Sequence, residues 1–363
     1  MMAVEEGVQC AFLAPTLVLA EQHYRKLADI ADTVFYAGKM KAAEKREKLA
    51  KIKSGEAKVI VGTHAIFSNE VEYNNLGLVI IDEEQRFGVT QREKIRLKAS
   101  AGVHSISMSA TPIPRTLATT VYGDDMSVIS VKTMPEGREP VQTCVTASDP
   151  ATLRHIAKRL ADHRQVYVIC PMIEDSDNPV MSVEEAVKHY QDAFPQYRVE
   201  GLSGRLTDEK IKDVIGRFAS NETQILVSTT VVEVGVDVPN ADTIVIENAE
   251  RFGLTTLHQL RGRVGRGGGR AYCVLKTDKP DTERLQVLTR TNDGFEIAEE
   301  DLRLRGAGNL IGTEQSGNDR HFELMLMYPE EYAKLKKVAR YMKENGLGLK
   351  FIEEEDRLQP PVK

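Results

Sequence analysis

The sequence predicts an α/β protein: two parallel-sheet lobes followed by a small helical carboxyl-terminal element. Three observations predict it. Short runs rich in Val and Ile alternate with stretches of helical period, the pattern of βαβ units. Those runs are almost continuously apolar, as strands covered on both sheet faces must be. A Pro/Gly-rich stretch, Met134-Pro135-Glu136-Gly137-Arg138-Glu139-Pro140, divides the pattern into two halves.

Taken in order, strands are expected at Gln9–Ala14, Lys58–Gly62, Leu76–Ile81 and His104–Ser109 in the first half, and at Gln165–Cys170, Gln224–Ser228 and Asp242–Glu247 in the second. Helices are expected at Leu17–Ala31, Ala42–Ser54, Thr90–Ala99, Pro150–His163, Val183–Phe194 and Asp208–Ser220. After Asp278 the strand signal fades. Helical stretches follow at Thr282–Arg290 and Phe295–Leu304, then a glycine-studded loop from Gly306 to Gly317 and a helix near Glu330–Glu344. The reading gives three domains: 1–138, 139–280 and 281–363.

The chain has 363 residues, of which 41% are hydrophobic and 28% charged, enough apolar material to build more than one core. Its apolar runs are strand-sized, as at Leu78–Ile81, too short to span a bilayer. No charged-then-apolar leader opens it, so secretion is not expected. Cys10, Cys144, Cys170 and Cys273 lie far apart with no CxxC pair, which argues against a disulfide framework or a zinc site and suits a reducing cytoplasm. The net charge of −6 hides local excesses. Arg251 to Arg270 holds five arginines and no acid, set among glycines; Arg25 to Lys58 carries ten bases against five acids and reads as a solvated helix face.

Two motifs carry chemistry. Leu78-Val79-Ile80-Ile81-Asp82-Glu83 is an apolar strand that delivers two adjacent carboxylates to the carboxyl edge of a parallel sheet, where open α/β folds bind ligands. The first acid suits Mg²⁺ held through water, and the second can orient an attacking water. Gln259-Leu-Arg-Gly-Arg-Val-Gly-Arg266 spaces guanidinium forks with glycine, so that Arg261, Arg263 and Arg266 can reach phosphate oxygens.

An ordered series of segments joins these two. It comprises Ala14-Pro15-Thr16 with Leu19-Ala20-Glu21-Gln22, Gly62-Thr63-His64-Ala65, Asp82-Glu83-Glu84-Gln85, and Ser109-Ala110-Thr111-Pro112. The second half adds Gly201-Leu202-Ser203-Gly204-Arg205, Ser228-Thr229-Thr230 and Glu233-Val-Gly235-Val-Asp237. The series resembles that of superfamily 2 helicases. Within them, Ile246-Glu-Asn-Ala-Glu-Arg-Phe-Gly-Leu254, Asn292-Asp-Gly-Phe-Glu-Ile-Ala-Glu299, Leu302-Arg-Leu-Arg-Gly306 and Gly312-Thr-Glu-Gln-Ser-Gly317 are similar to the RecG-type family. The transcription-repair coupling factors share Asp82-Glu-Glu-Gln-Arg-Phe-Gly88 and Ser109-Ala-Thr-Pro-Ile-Pro-Arg115, and Gln85 stands where RecG-type sequences carry histidine; the region after Asn292 favours the RecG type.

The resemblance implies two RecA-like lobes, the first truncated, in an ATP-dependent DNA helicase (an ATP hydrolase). It implies work on branched DNA, such as stalled forks and Holliday junctions, in repair and recombination. It assigns Mg²⁺ to Asp82, water activation to Glu83, an inter-lobe hydrogen bond to Gln85, and the triphosphate to Arg263 and Arg266. Gly235, Asp237 and Gln259 would face the nucleotide. Pro15, Thr16, Gly62, Thr63, His64, Gly204, Arg205, Ser228, Thr229 and Thr230 would track the DNA backbone; Ser203 departs from the histidine often found there. Ser109 and Thr111 would couple hydrolysis to lobe closure, and Arg303, Arg305 and Gln315 would serve a translocation hairpin. Expected partners are branched or duplex DNA and single-stranded DNA-binding protein, with no membrane. The chain is expected to be a monomer in the bacterial cytoplasm, associated with the nucleoid. Two other readings stay open: a DNA-binding remnant without motor activity, and a translocase of the transcription-repair coupling type.

No Gly-x-x-x-x-Gly-Lys-Ser/Thr phosphate loop occurs in the chain. In the resembled family it sits upstream of the first strand, and its own strand is expected to leave a gap inside the first sheet. Without that cradle of N–H donors and its lysine, this chain alone is expected to hydrolyse ATP poorly or not at all. Phosphate release measured with and without DNA checks this, and DNA-stimulated turnover would overturn it.

Overall fold

A computed structural model describes residues 2–87, 102–109, 127–131, 133, 137–172, 180–203, 206–229 and 238–305, with isolated positions between 334 and 346. The chain divides into two compact units: Met1–Pro112 with Met134–Gly294, and Ile113–Thr133 with Phe295–Lys363. Both sheets lie in the first unit.

The first lobe opens with a short helix, α1 (Met2–Glu5). Its sheet comprises β1 (Gln9–Leu13), β2 (Thr33–Tyr36), β3 (Val59–Gly62), β4 (Leu76–Asp82) and β5 (His104–Met108), in the order β2-β3-β1-β4-β5, with every pair parallel. The pleat sends alternate residues to opposite faces. Ala11, Leu13, Ile60 and Val79 meet Ile52 of α3 (Ala42–Ser54) on one face. Cys10, Phe12, Val59 and Val61 meet Ala20 of α2 (Leu17–Ala28) on the other. Thr16 caps α2, its hydroxyl accepting from the Leu19 amide, and Gly55 in the left-handed conformation stops α3.

The gap expected inside this sheet is not there. Each strand is hydrogen-bonded to its neighbour, because β4 and β5 pair directly from Leu78↔His104 to Asp82↔Met108. What the sheet has instead is a thinly covered margin. Among the described strands β5 pairs only with β4, and Ile106 and Met108 are exposed on it.

The second lobe holds β6 (Gln142–Thr146), β7 (Gln165–Ile169), β8 (Val199–Leu202), β9 (Ile225–Ser228), β10 (Ala241–Ile246) and β11 (Tyr272–Lys276), all parallel, in the order β6-β11-β10-β7-β9-β8. Helices α4 (Asp149–Ala161) and α5 (Val183–Ala193) bury Ile156, Leu160, Ala186 and Tyr190 against Val166, Val168 and Val245. Both begin on capping serines, Ser148 and Ser182, the latter in a reciprocal capping box with Glu185. Further on come α6 (Asp208–Ala219), α7 (Leu254–Arg261) and α8 (Glu283–Arg290). Helix α9 (Gly294–Arg305) runs into the second compact unit. The helices expected at Thr90–Ala99 and, apart from isolated positions, near Glu330–Glu344 lie outside the described residues.

The two lobes share a device. Each has a strand paired on both sides that starts on a buried glutamine whose amide ties neighbouring connections together. Gln9 Nε2 donates to the carbonyls of Ile52 (2.9 Å) and Ala57 (2.8 Å), while its Oε1 accepts from the amides of Asn74 (2.7 Å) and Asn75 (3.1 Å). Gln165 Nε2 donates to the carbonyls of Phe218 (2.6 Å) and Thr223 (2.7 Å), and its Oε1 accepts from Asn240 Nδ2 (3.2 Å). Replacing either with a similarly sized apolar side chain strands those partners away from water. Gln165→Leu is therefore expected to destabilise the protein by about 2–3 kcal/mol in urea unfolding, with little change in the slope of the transition.

Candidate functional site

The chemistry-bearing residues meet in one cavity of about 520 Å³ between the two sheets. From the first lobe it receives Pro15, Thr16, Gln22, His23, Asp82, Glu83 and Arg86; from the second, His258, Gln259, Arg263 and Arg266; from the segment between them, Arg138.

The acids arrive by backbone geometry. Strand β4 ends on Asp82, and Glu83 then takes the left-handed conformation (φ 52°, ψ 52°) and opens a single 3-10 turn, Glu84–Arg86. A left-handed glutamate is strained, and such strain collects where a side chain must be aimed. The turn brings Arg86 round to the same cavity three residues later. The backbone of Gln85 lies in that 3-10 turn. Asp82 is held in turn by His23, whose Nε2 stands 2.9 Å from Asp82 Oδ2 and whose ring packs on Phe12 with centroids 4.5 Å apart. His23 is a residue that the motif reading missed. Its signal was its position on α2, one helical face with Thr16 and Leu19, all bordering the cavity.

The guanidinium groups come from the loop after α7. Arg263 is pushed down from its ordinary proton affinity, first by burial and then by Arg266, while Glu83 across the cavity pulls the other way. Arg86 is likewise lowered by burial and supported by Glu83. Acid and arginine clusters therefore feel each other electrostatically across the space. A second cross-lobe contact, Lys212 of α6 to Glu21 of α2 at 3.5 Å, lies beside it.

Arg261 behaves differently from the other two arginines of its motif. It is buried, and its Nη1 donates to the carbonyls of Leu288 (2.8 Å) and Thr291 (3.0 Å), closing the end of α8. Its Nη2 stands 3.1 Å from His258 Nδ1, which must accept, so His258 carries its proton on Nε2. Arg261 thus braces the end of α8 within its own lobe while also bordering the cavity.

The remaining candidates fall elsewhere. Gly62, Thr63 and His64 follow β3, with Thr63 buried and His64 exposed. Glycine at 62 has a packing reason, since a Cβ there would lie 2.2 Å from the Tyr36 carbonyl oxygen. Ser228 is buried at the end of β9 and its hydroxyl donates to the Thr229 carbonyl at 2.6 Å. Ser109 is exposed after β5. Arg303 is exposed on α9, donating to Glu300 at 2.8 Å, and Arg305 ends that helix. Thr111, Gly204, Arg205, Thr230, Gly235, Asp237 and Gln315 lie outside the described residues. The lysine-rich α3 is neutralised locally by Glu44–Lys48, Glu47–Lys51 and Glu70–Lys45 pairs. Among the described residues no group of three or more His, Cys, Asp or Glu side chains could hold a metal by itself, and no helix is long and apolar enough to cross a membrane.

Three family models match successive parts of the chain. The family model described as DEAD/DEAH box helicase matches residues 2–120, Helicase conserved C-terminal domain matches 150–268, and ATP-dependent DNA helicase RecG, domain 3, C-terminal, matches 291–358. The ATP-dependent DNA helicase RecG of Synechocystis sp. is 46% identical over 331 residues, covering 87% of this chain and 39% of the relative. That of Bacillus subtilis is 44% identical over 329 residues, covering 87% and 48%. The chain therefore spans under half the length of these curated relatives. A solved structure of RecG bound to a three-way DNA junction superposes with TM-score 0.69 at 37% identity, over 89% of this chain and 44% of that one. Dbp5 of S. cerevisiae, bound to RNA and ADP BeF3, shares the fold alone, with TM-score 0.58 at 16% identity over 79% and 75% of the two chains.

Burial, and then the adjacent Arg261 charge, hold His258 down at about 4. A base depressed in the folded state binds its proton earlier in the unfolded one, so stability is intact above about pH 6.5 and is lost as pH falls toward 4. Thermal melts across that window are expected to fall less steeply for His258→Gln than for the unaltered chain.

Proposed function

Since this chain belongs to the RecG-type superfamily 2 helicases, we propose that it carries the motor of an ATP-dependent DNA helicase that acts on branched DNA in repair and recombination. The observation that carries the reading is the meeting of Asp82 and Glu83 with Arg263 and Arg266 in one cavity. Carboxylates on one wall and guanidinium groups on the other match the needs of phosphoryl transfer, which calls for positioning and charge stabilisation more than covalent chemistry.

In this reading ATP is the substrate of the complete motor, and these 363 residues, which lack the phosphate loop, supply the rest of its site and do not turn ATP over alone. The oxygen donors of Asp82 and Glu83 suit Mg²⁺, which takes one or two carboxylates and keeps its waters. Magnesium, when bound, neutralises phosphate charge. Asp82, oriented by His23, would hold it. Glu83 orients the attacking water and accepts its proton. Arg263 and Arg266 meet the negative charge that develops on the γ-phosphate, and Gln259 faces the nucleotide from α7. Gln85 links the site to the opposite lobe by hydrogen bonding, and Gly235 and Asp237 complete the nucleotide contacts. Ser109 and Thr111 relay the state of the site, and Arg303, Arg305 and Gln315 pass lobe motion to the duplex. Backbone phosphates are gripped by the carboxyl-edge loops that hold Thr63, His64 and Thr229, with Gly204, Arg205 and Thr230. Pro15 and Thr16 border the cavity as well and connect the two surfaces. The protein works as a cytoplasmic monomer in a bacterium, with single-stranded DNA-binding protein as its candidate partner.

The test couples the two ligands. Anisotropy titration of the purified chain with a labelled three-way junction is expected to give salt-sensitive binding, and ATP with Mg²⁺ is expected to shift the affinity about tenfold. Superimposable isotherms with and without nucleotide would favour a DNA-binding remnant and overturn the motor reading.

A further inference from the structure

Arg138 lies in the segment between the lobes, outside every motif discussed so far, yet it holds the loop that carries the arginines. Its Nη2 donates to the carbonyls of Gly262 (3.0 Å) and Val264 (3.4 Å), which flank Arg263 on either side. Its backbone forms a parallel bridge with Gly269. Gly268, left-handed at φ +81°, comes so near that a Cβ on it would lie 3.4 Å from the Gly137 carbonyl oxygen. From the other side the loop is pressed against Pro239, whose carbonyl oxygen would stand 2.3 Å from a Cβ at Gly267. The loop from Gly262 to Gly269 is therefore gripped between the inter-lobe segment and Pro239.

Consider what the loop would do unheld. Gly262 ends α7, so carbonyls of that last turn have no partner within the helix, and the glycines at 262, 265, 267, 268 and 269 give the backbone many alternative paths. A guanidinium that takes the carbonyls on both sides of one residue fixes the peptide planes around it. It thereby fixes the direction in which that residue's side chain leaves the backbone. The residue is Arg263.

We propose that Arg138 is a positioning residue: by clamping the carbonyls before and after Arg263 it aims Arg263 and Arg266 into the cavity, and so makes the segment between the lobes part of the phosphate-binding apparatus. The inference rests on the reading of the cavity as a triphosphate site. Any rearrangement of that segment would then redirect the arginines directly, without passing through the sheet.

The test uses the 363-residue chain labelled with ¹⁵N-arginine and titrated with inorganic tripolyphosphate, following the Nε–H resonances of Arg263 and Arg266. Arg263→Ala is expected to weaken the anion about tenfold. Arg138→Gln is expected to weaken it by a similar factor and to move or broaden both resonances, with the melting temperature of the second lobe little changed. Arg138→Lys, which keeps a donor and the charge, restores most of the loss. Adding Arg138→Gln to the combined Arg263→Ala, Arg266→Ala change is expected to weaken binding no further than that combined change alone, because Arg138 acts through those two arginines. A merely structural role gives additive losses and unmoved resonances, and either result overturns the inference. Should Arg138→Gln fail to fold, Gly268→Ala loosens the same clamp from the loop side and must reproduce the loss. If Arg263→Ala binds like the unaltered chain, the triphosphate reading falls and this inference with it. If Arg263→Ala weakens binding and Arg138→Gln does not, only the inference falls.

Discussion

Guanidinium groups repel one another, and a partly buried space that collects them needs a reason. Here Arg86 from one lobe, Arg263 and Arg266 from the other and Arg138 from between them surround Asp82 and Glu83. Arg261 lines the space as well, although its Nη1 is engaged by carbonyls of its own lobe. Five guanidinium groups against two carboxylates leave a positive surplus. A polyanion resolves it, and the more negative the anion the better the fit. The rest of the architecture serves that arrangement: a sheet edge to deliver the acids, a helix end to deliver the arginines, and a cross-lobe contact from Glu21 to Lys212 beside the space they share.

The lobes resemble each other in more than their strand direction. Ile81-Asp82-Glu83-Glu84-Gln85-Arg86-Phe87 in the first is matched by Ile246-Glu247-Asn248-Ala249-Glu250-Arg251-Phe252 in the second. Both stretches follow a strand end, both put a left-handed residue at the third position, and both continue into a 3-10 turn that closes on a buried phenylalanine. The use made of the acid differs. Glu247 is buried with Lys276, whose Nζ stands 3.0 Å away, and with Tyr190, whose hydroxyl donates to it at 2.5 Å. Asp82 instead borders the open cavity with His23. One local fold thus yields a locked core pair in one lobe and an available carboxylate in the other, and the neighbouring side chains decide which.

Legibility in the sequence mostly followed burial, although β5, an exposed margin, was read within a residue. The interior strands β1, β4, β7, β9 and β10 are apolar runs, and their positions could be read within a residue or two. The unread ones are mostly margins: β2 has four residues, β6 alternates with exposed positions and carries Gln142 and two threonines, and β8 contains Gly201. Edge strands are short and polar because one side faces no partner, so they lack the signal that marks a core strand. Strand β11 is interior yet was missed, since it follows the glycine cluster that ends the arginine motif. The acid pair and Arg263 were legible because spacing fixes them locally. His23 and Arg138 were not, because each matters through a residue 59 or more positions away, and no local pattern encodes that.

The left-handed backbone at Glu83 has a consequence for substitution. Asparagine, which the second lobe uses at the twin position, tolerates that conformation far better than glutamate does, and glycine better still. Keeping a glutamate there holds about 1 kcal/mol of backbone strain in reserve. A change at this position to a residue that suits the turn relaxes the backbone and removes the acid together. Removal of the acid therefore runs downhill for the fold, so the local backbone alone favours a different residue at Glu83.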